Sequence, residues 1–292
     1  RSNLNLFIGA RAVFQEGDFN LVDAVGFHLN IAQLHIAIAT VTNPSPGATP
    51  TYTRKWTGIA AKVQNLQLIG VPSSAQLKMT VANLALRLNK ADGNSGGQNG
   101  SQAASMTWSH IISDTANPLH DLSGNVTLDV SGTVGLSVAN IVYASATIGL
   151  TVTKDVENVD DPDDNLNQKL KGDLLNVNIT HANLFIGSGP RLDVTTGAIT
   201  GLDQGQGDAG NVGFSVSEAS LTVALFTATK SSTNGTVAYA PLQKARTYTA
   251  IQANLETVGL NGISGVTLIG KHLHVKSNST SVAAGKLLNW SR

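Results

Sequence analysis

The chain has 292 residues, a formal net charge of zero, no cysteine, and only 13% charged and 5% aromatic residues. Balanced charge argues against nucleic acid or an anionic membrane surface as a partner, because both attract strongly basic proteins. Without cysteine no disulfide forms, so packing and hydrogen bonds must stabilise the fold, and no stretch reaches the roughly 18 uninterrupted apolar residues that a membrane span needs.

The first predicted element is a strand at residues 5–9, and its letters, NLFIG, return at residues 183–187. The stretch that follows each copy also matches, since GFHLNIAQLHIAIAT at residues 26–40 resembles GFSVSEASLTVALFT at residues 213–227. Apolar residues stand opposite apolar residues through most of this second match. That agreement favours a repeat over a chance recurrence of five letters.

The remaining matches follow in the same order along the chain. They pair TYT (51–53) with TYT (247–249), TGIAAKVQNLQLIGV (57–71) with TAIQANLETVGLNGI (249–263), and LKMTVANLALRLN (77–89) with VTLIGKHLHVKSN (266–278). The distance between matches drifts, as expected where loops differ in length and strands persist. We therefore predict a repeat unit A at residues 4–91 with a second copy at residues 183–278.

A different β unit, B, is predicted between the two copies at residues 106–182. It opens near SMTWSH (105–110), and KLLNWSR (286–292) resembles that opening, so residues 279–292 are interpreted as the start of a further B-like unit or as a linker. The order A–B–A–(B) is typical of a tandem array and predicts a longer polymer. The alternative is an isolated protein with internal pseudo-symmetry.

Alternation of apolar with small or polar residues predicts strands along the chain and no convincing helix. In residues 124–154, Val126, Leu128 and Val130 share one face, and Gly132 interrupts the run as a bend or bulge. The predicted fold class is all-β, with an elongated β-solenoid-like or repeated β-sheet architecture. The alternative is a set of tandem β-sandwiches, because no short rung period recurs inside A or B.

Five polar, glycine-rich or charged stretches are predicted to be surface loops, because they carry too few apolar residues to fold alone. They are residues 42–51, 92–104, 155–167, 203–211 and 231–236. The first and the last interrupt the two A copies at the same place, so one edge of the unit is expected to tolerate insertions.

The acidic stretch in the third of these loops is the best candidate site. Its carboxylates come from Asp155, Glu157, Asp160, Asp161, Asp163 and Asp164. Calcium prefers six to eight oxygen ligands from flexible carboxylates and carbonyls, and a cation would relieve the repulsion between these charges. The spacing lacks the glycine and the terminal glutamate of an EF-hand loop, so the alternative is a solvated acidic loop without metal.

A histidine pair gives a weaker metal candidate. His272 and His274 would share a strand face, as a pair of zinc ligands can, yet the first copy carries Asn83 and Ala85 in their places. A site built into the repeating unit should recur in both copies, so no zinc is expected here.

The three tryptophans divide into two roles. Trp108 and Trp290 recur at equivalent places, which favours a structural role where A meets B. Trp56 has no tryptophan counterpart in the second copy and is the candidate aromatic for binding a ligand such as a glycan.

No pattern in the chain predicts an enzyme. There is no cysteine nucleophile, and no Gly-x-Ser-x-Gly elbow, P-loop or dinucleotide fingerprint occurs in the right context. Outside the acidic stretch the carboxylates are scattered singly, whereas glycoside hydrolysis needs a pair of them.

Two long phrases resemble the repeats of very large bacterial surface proteins. They are NLFIG…GFSVSEASLTVALF…TYTAIQANLETVGLNGISGVTLIGKHLHV and GNVTLDVSGTVGLSVANIVYASATIGLTVTK. Those adhesin-like arrays often have hemolysin-type calcium-binding or cadherin-like neighbours. The resemblance implies an extracellular or cell-surface location and a structural or adhesive role, and it assigns no functional residue. The Gly-Gly-x-Gly-x-Asp nonapeptides of calcium β-rolls are missing here.

Two functional hypotheses follow. The first is a structural repeat protein of a bacterial surface filament, sheath or adhesin stalk, which associates with itself or with neighbouring repeats through β-sheet edges. The second is a module that binds a glycan or a partner surface through its variable loops.

Overall fold

The structure is a computed structural model, and it describes residues 4–16, 18–43, 52–70, 77–93, 103–163, 168–201, 211–232, 238–263 and 265–290. Strands dominate these residues, which confirms the all-β fold class. Among them, the one helical turn is a 3₁₀ helix at Trp108–His110.

Most of the strands join in one large sheet. In chain order they are β1 (Leu4–Ala10), β2 (Val13–Gln15), β3 (Asp18–Asn20), β4 (Val25–Asn43), β5 (Tyr52–Ile69), β6 (Leu77–Gly93), β7 (Val126–Val138), β8 (Val142–Asp160), β9 (Lys169–Ser188), β10 (Arg191–Leu192), β11 (Ile199–Thr200), β12 (Val212–Ser232), β13 (Tyr239–Asn261) and β14 (Leu268–Thr280). Ten of them form a sheet in the order β1-β4-β5-β6-β7-β8-β9-β12-β13-β14, while β2 pairs with β3 and β10 with β11.

Every pairing in the ten-stranded sheet is antiparallel, and its order follows the order of the chain. The strands are long: β13 has 23 residues, which at about 3.4 Å per residue spans up to about 78 Å. The large antiparallel sheet is therefore established, whereas neither the solenoid winding nor the tandem sandwiches are confirmed.

The two NLFIG phrases make the same backbone contact. Gly9 of β1 stands opposite Gly26 of β4, and Gly187 of β9 stands opposite Gly213 of β12. A Cβ atom added to Gly9 would lie 2.2 Å from the neighbouring carbonyl oxygen of Val25, and one added to Gly187 would meet its own neighbour at 2.1 Å. Only glycine allows the strands to approach so closely, which explains why this residue is present in both phrases.

The strand pairs that follow repeat the same registers. The equivalent pairs are Ile38–Thr57 with Leu225–Thr249, and Ile59–Leu88 with Ile251–Ser277. These registers place the long phrases that match in sequence at equivalent positions of the sheet. The division into units A and B, by contrast, stays a prediction, because β6 and β7 pair without a break between the first A copy and B.

The short TYT match is an exception. Tyr248 lies opposite Phe226 in the β12–β13 pair, while Trp56 lies opposite Ala39 in the β4–β5 pair. The register that aligns the long phrases therefore puts Tyr248 in the place of Trp56, four positions away from the alignment that the TYT letters suggest. Both side chains are buried aromatic residues of the core.

A left-handed backbone position also occurs twice. Asn83 in β6 and His272 in β14, which the sequence matches with each other, both have φ of 53°. The β6–β7 register shifts between Ala82 and Ala85, as expected of a β-bulge. Asparagine tolerates this conformation better than most residues, so its choice at position 83 has a backbone reason.

One face of the first strands is covered by the chain that follows β6. The indole of Trp108 is fully buried against Gly58, where an added Cβ atom would lie 2.6 Å from the ring. Leu119 and Leu122 complete this core cluster together with Trp56 and Ala60. A second cluster, built from Leu170, Phe226, Ala228, Tyr248 and Leu288, lies under the later strands.

An asparagine holds a tryptophan in each half of the chain. Asn89 accepts a hydrogen bond from the indole N–H of Trp108 at 3.0 Å and donates to the carbonyl oxygen of Met106 at 2.8 Å. Asn278 accepts from the indole of Trp290 at 3.2 Å and donates to the carbonyl oxygen of Leu288 at 2.8 Å. The segments that carry Trp108 and Trp290 are thus attached to the sheet in the same way.

Four predicted loops begin as strand, because β4 runs to Asn43, β6 to Gly93, β8 to Asp160 and β12 to Ser232. Half of the acidic stretch is thereby paired with β9. For that stretch the cause is cross-strand pairing of charged residues, which a local composition argument does not detect. The cores of the predicted loops, at residues 44–51, 94–102, 164–167, 202–210 and 233–237, lie outside the described residues.

Replacing Asn89 by alanine should lower the free energy of unfolding by about 3 kcal/mol, because several buried groups around the indole of Trp108 lose their hydrogen-bond partner. Asn278→Ala is the matched control, and we expect a loss of about 1 kcal/mol or less there, because that contact is exposed to water. Urea unfolding followed by circular dichroism and tryptophan fluorescence measures both. Equal losses would contradict the buried role of Asn89.

Candidate functional site

The two margins of the sheet are the first candidate site. β1 covers β4 only between Val25 and Ile31, and no strand among the described residues lies along β4 from Gln33 to Val41. At the opposite margin, β14 has a single neighbour in the part of the chain that the structure describes, namely β13. A margin of this kind presents a row of backbone donors and acceptors on which another strand can pair.

Both margins carry exposed aliphatic side chains. On β4, Leu34, Ile36 and Ile38 are 45%, 59% and 60% exposed. On β14, Leu273 and Val275 are 47% and 57% exposed. Edge strands of soluble proteins are commonly protected by charge, proline or a covering segment. β4 from Gln33 to Val41 carries no charged residue other than a histidine and no proline, whereas β14 carries Lys271 and Lys276 beside its apolar residues.

A broad apolar face extends from the β4 margin across the sheet as far as β13, where Ile251 lies opposite the polar Ser277 of β14. Two rows of directly paired aliphatic residues, here called the aliphatic rows, run across the sheet on the face opposite Trp56 and Trp108. They are Ile36–Ile59–Leu88–Leu128–Val152–Leu175–Leu225 and Leu34–Ala61–Leu86–Val130–Leu150–Val177–Val223–Ile251. None of these residues is buried. The longer row crosses eight strands, or about 34 Å at the usual strand spacing.

In soluble proteins, continuous apolar faces of this size commonly mark interaction surfaces. The same side chains also stabilise the sheet, because directly opposed aliphatic pairs contribute to strand association. The aliphatic rows therefore favour the observed registers and also leave apolar area exposed.

The predicted acidic site is a network of ion pairs. Lys171 lies 3.1 Å from a carboxylate oxygen of Asp155 and 2.6 Å from one of Glu157, while Lys169 pairs with Asp160. All five residues lie on the paired ends of β8 and β9. Cross-strand pairs of opposite charge favour this register.

The turn after β8 pairs with a third basic side chain, that of Arg246. Arg246 of β13 donates to both carboxylate oxygens of Asp161, at 2.9 and 3.2 Å, and the Asp161 side chain is only 2% exposed. Asp163 accepts a hydrogen bond from the backbone N–H of Lys286 at 2.6 Å. These contacts connect the end of β8 to β13 and to the C-terminal segment. Asp164 lies outside the described residues.

The hydrogen bond to Glu157 raises the pKa of Lys171, and this effect outweighs partial burial, which lowers it. A lysine with a raised pKa in the folded state contributes stability that is complete below its unfolded-state pKa and is lost as the pH rises through the folded value. On the alkaline side, the contribution of Lys171 is therefore expected to be lost only as the pH rises through its raised pKa.

These pairings bear on the calcium prediction. The residues that the structure describes contain no group of three or more histidine, aspartate or glutamate side chains placed to hold a metal ion. An ion at Asp155, Glu157 or Asp160 would compete with the two lysines of β9. Calcium binding stays a prediction. To bind here, the ion would have to displace the ammonium groups of the two lysines from these carboxylates.

Trp56 contributes to the core of the sheet. The residue is only 8% exposed, and its indole N–H donates to the carbonyl oxygen of Ala104 at 2.8 Å. The guanidinium of Arg54 lies 5.5 Å from the ring centre. Stacking on a sugar needs an open ring face, so a ligand role for Trp56 stays a prediction that would require local rearrangement.

Each histidine of the pair on β14 contacts a polar side chain of β13. His272 lies 2.9 Å from a carboxylate oxygen of Glu256, and His274 lies 2.7 Å from the side-chain oxygen of Asn254. The pair is not brought together with a third ligand in the described part of the chain.

Sequence reasoning did not identify Lys169, Lys171 and Arg246 as partners of the acidic residues. A signal for the two lysines was present, because the chain KLKGD at residues 169–173 follows the acids closely enough to fold back as a hairpin. Arg246 comes from a distant strand, and only the tertiary register brings it to Asp161.

Within the described residues, no helix has the length and apolar character needed to cross a lipid bilayer. No protein-family model, curated protein or solved structure matches this chain.

Removing the lysines should strengthen any calcium binding at the end of β8. We expect the double variant Lys169→Gln/Lys171→Gln to bind calcium severalfold more tightly than the unmodified chain, because two competing cations are lost and the carboxylates remain. Isothermal titration calorimetry measures the affinity, and Lys62→Gln on β5 is the control. Identical affinities for all three proteins would show that these carboxylates do not bind the ion.

Proposed function

We propose that this chain is an extracellular structural repeat protein that forms or extends a bacterial surface filament, sheath or adhesin stalk through its β-sheet edges. The observation that carries the proposal is the pair of open margins, one along β4 from Gln33 to Val41 and the other along β14, which no strand covers in the described residues. An antiparallel sheet with an available strand on each side can be continued by a neighbour in one dimension.

The aliphatic rows support the same role. An isolated protein would gain stability by covering such a face, whereas a protein that packs against neighbours can leave it available until assembly. Lateral contact of two such faces would resemble the packing of two sheets in a sandwich, with a core about 10 Å thick. Edge pairing extends the assembly, and face packing would thicken it.

The matched registers support a repeating design. β4, β5 and β6 make the same pairings as β12, β13 and β14, and an asparagine binds a tryptophan after each set. In a linear array each unit contacts only its neighbours, so the same interface is used at every step. The proposal assigns no catalysis and places the protein at the bacterial cell surface, following the resemblance to adhesin-like arrays.

Charge on an exposed margin should block assembly. We expect the particle mass of the unmodified protein to rise with concentration. The double variant Leu273→Lys/Val275→Lys on β14 should reduce that rise strongly, because lysines on an edge strand oppose pairing with a neighbouring strand. Light scattering and negative-stain electron microscopy measure mass and shape.

The control for this experiment is Val194→Lys in the connection between β10 and β11. Val194 is 55% exposed, close to the 57% of Val275, but lies away from both margins of the sheet. It should assemble like the unmodified chain. Monodisperse compact particles of the unmodified chain at every concentration would refute the proposed function.

A further inference from the structure

We propose that the open margin of β4, from Leu34 to Val41, binds a strand of another polypeptide chain that has the residue pattern of positions 169–180, KLKGDLLNVNIT. This inference rests on the proposed function and names the partner of one of its edges. The occupant is specified by the chain itself, because the equivalent margin of β12 is already covered by this sequence.

The equivalence of β4 and β12 carries the first step. β12 pairs with β13 on one side, as β4 pairs with β5, and the two pairs share their register. On its other side, β12 pairs with β9 along nearly its whole length. Within the described residues, β4 has the same arrangement only up to Ile31, which lies opposite Leu4, the first residue of β1.

A bulge separates the two parts of β9. His181 has a φ of 50°, and the β9–β12 register shifts on either side of Ala182. The part after this bulge, at residues 182–188, corresponds to β1 through its NLFIG phrase. The part before it, at residues 169–180, has no counterpart beside β4 in the described residues. The incoming strand would therefore lie in line with β1 and end near Leu4.

The side chains of the two margins correspond. In the β12–β9 pair, the opposed residues are Leu221–Ile179, Val223–Val177 and Leu225–Leu175. The β4 residues in the places of Leu221, Val223 and Leu225 are Leu34, Ile36 and Ile38, all aliphatic and all exposed. Their β12 counterparts are only partly exposed. A strand with Ile179, Val177 and Leu175 at alternate positions would extend both aliphatic rows by one strand.

The incoming strand also needs a glycine. Gly172 stands opposite Ala228, and a Cβ atom added to it would lie 2.0 Å from the carbonyl oxygen of Thr227. Thr40 and Val41 occupy the places of Thr227 and Ala228 in β4, so the same close approach is required there. The partner is thus an extended segment with alternating aliphatic residues and a glycine three positions before the first of them.

Site-directed disulfide formation tests the partner and its register, because the chain has no cysteine of its own. The protein carries Ile36→Cys, and a synthetic peptide of residues 169–180 carries Val177→Cys. Air oxidation should link them, because directly opposed residues on one face lie within disulfide distance. A peptide with Asn176→Cys points its thiol to the other face and should be linked severalfold less.

A third peptide combines Val177→Cys with Gly172→Val. Its added side chain meets the neighbouring backbone, so linkage should fall severalfold relative to the glycine peptide. Circular dichroism shows whether the Ile36→Cys protein keeps its strand content, and Ile38→Cys with a Leu175→Cys peptide is the second pair if it does not. Equal linkage of all peptides, no linkage in either pair, or preferential joining of two protein chains through position 36 would overturn the inference.

The outcome is separable from that of the proposed function. If electron microscopy shows that the protein assembles but no peptide is linked, the partner named here is wrong and the structural role stands. If the peptide is linked in register but the protein remains monodisperse at every concentration, the edge binds its strand and the filament role is wrong.

Discussion

Backbone pairing across strands is the constraint on which this structure depends. Each strand of an antiparallel sheet presents donors and acceptors on both sides, and both sides need partners. Eight of the ten strands in the large sheet lie between two neighbours, and β1 and β14 lie at its ends. Because β1 is short, the side of β4 that faces away from β5 has no partner beyond Ile31 among the described residues. The proposed function follows from this imbalance rather than from any catalytic group.

The side-chain pattern gives the two faces of the sheet different environments. Trp56 and Trp108 pack on one face, where the connection after β6 covers the sheet. The aliphatic rows occupy the other face and remain partly exposed from β4 to β13. A sheet of this kind is stabilised by its registers and by one covered face, while its other face and its margins remain available. A group of charged residues lies at the ends of β8 and β9, where Lys171 pairs with Glu157 and Arg246 of β13 pairs with Asp161.

Period-two alternation was enough to predict the all-β class, and repeated phrases were enough to predict equivalent positions such as Gly9 with Gly187. Tertiary contacts account for what was missed. Tyr248 replaces Trp56 in the core, because burial selects a large aromatic ring rather than a particular letter. The acidic residues lie on a paired strand because lysines stand opposite them, and Arg246 arrives from a strand far along the chain.

Amide hydrogen exchange in assembled and dispersed protein tests the central claim most directly. If neighbours continue the sheet, outward-facing amides of β4 between Gln33 and Val41, and of β14, should exchange severalfold more slowly after assembly. Amides of β8, which already has two neighbours, should be unchanged. Slower exchange confined to other regions, with both margins as fast in the assembly as in the dispersed chain, would contradict the account.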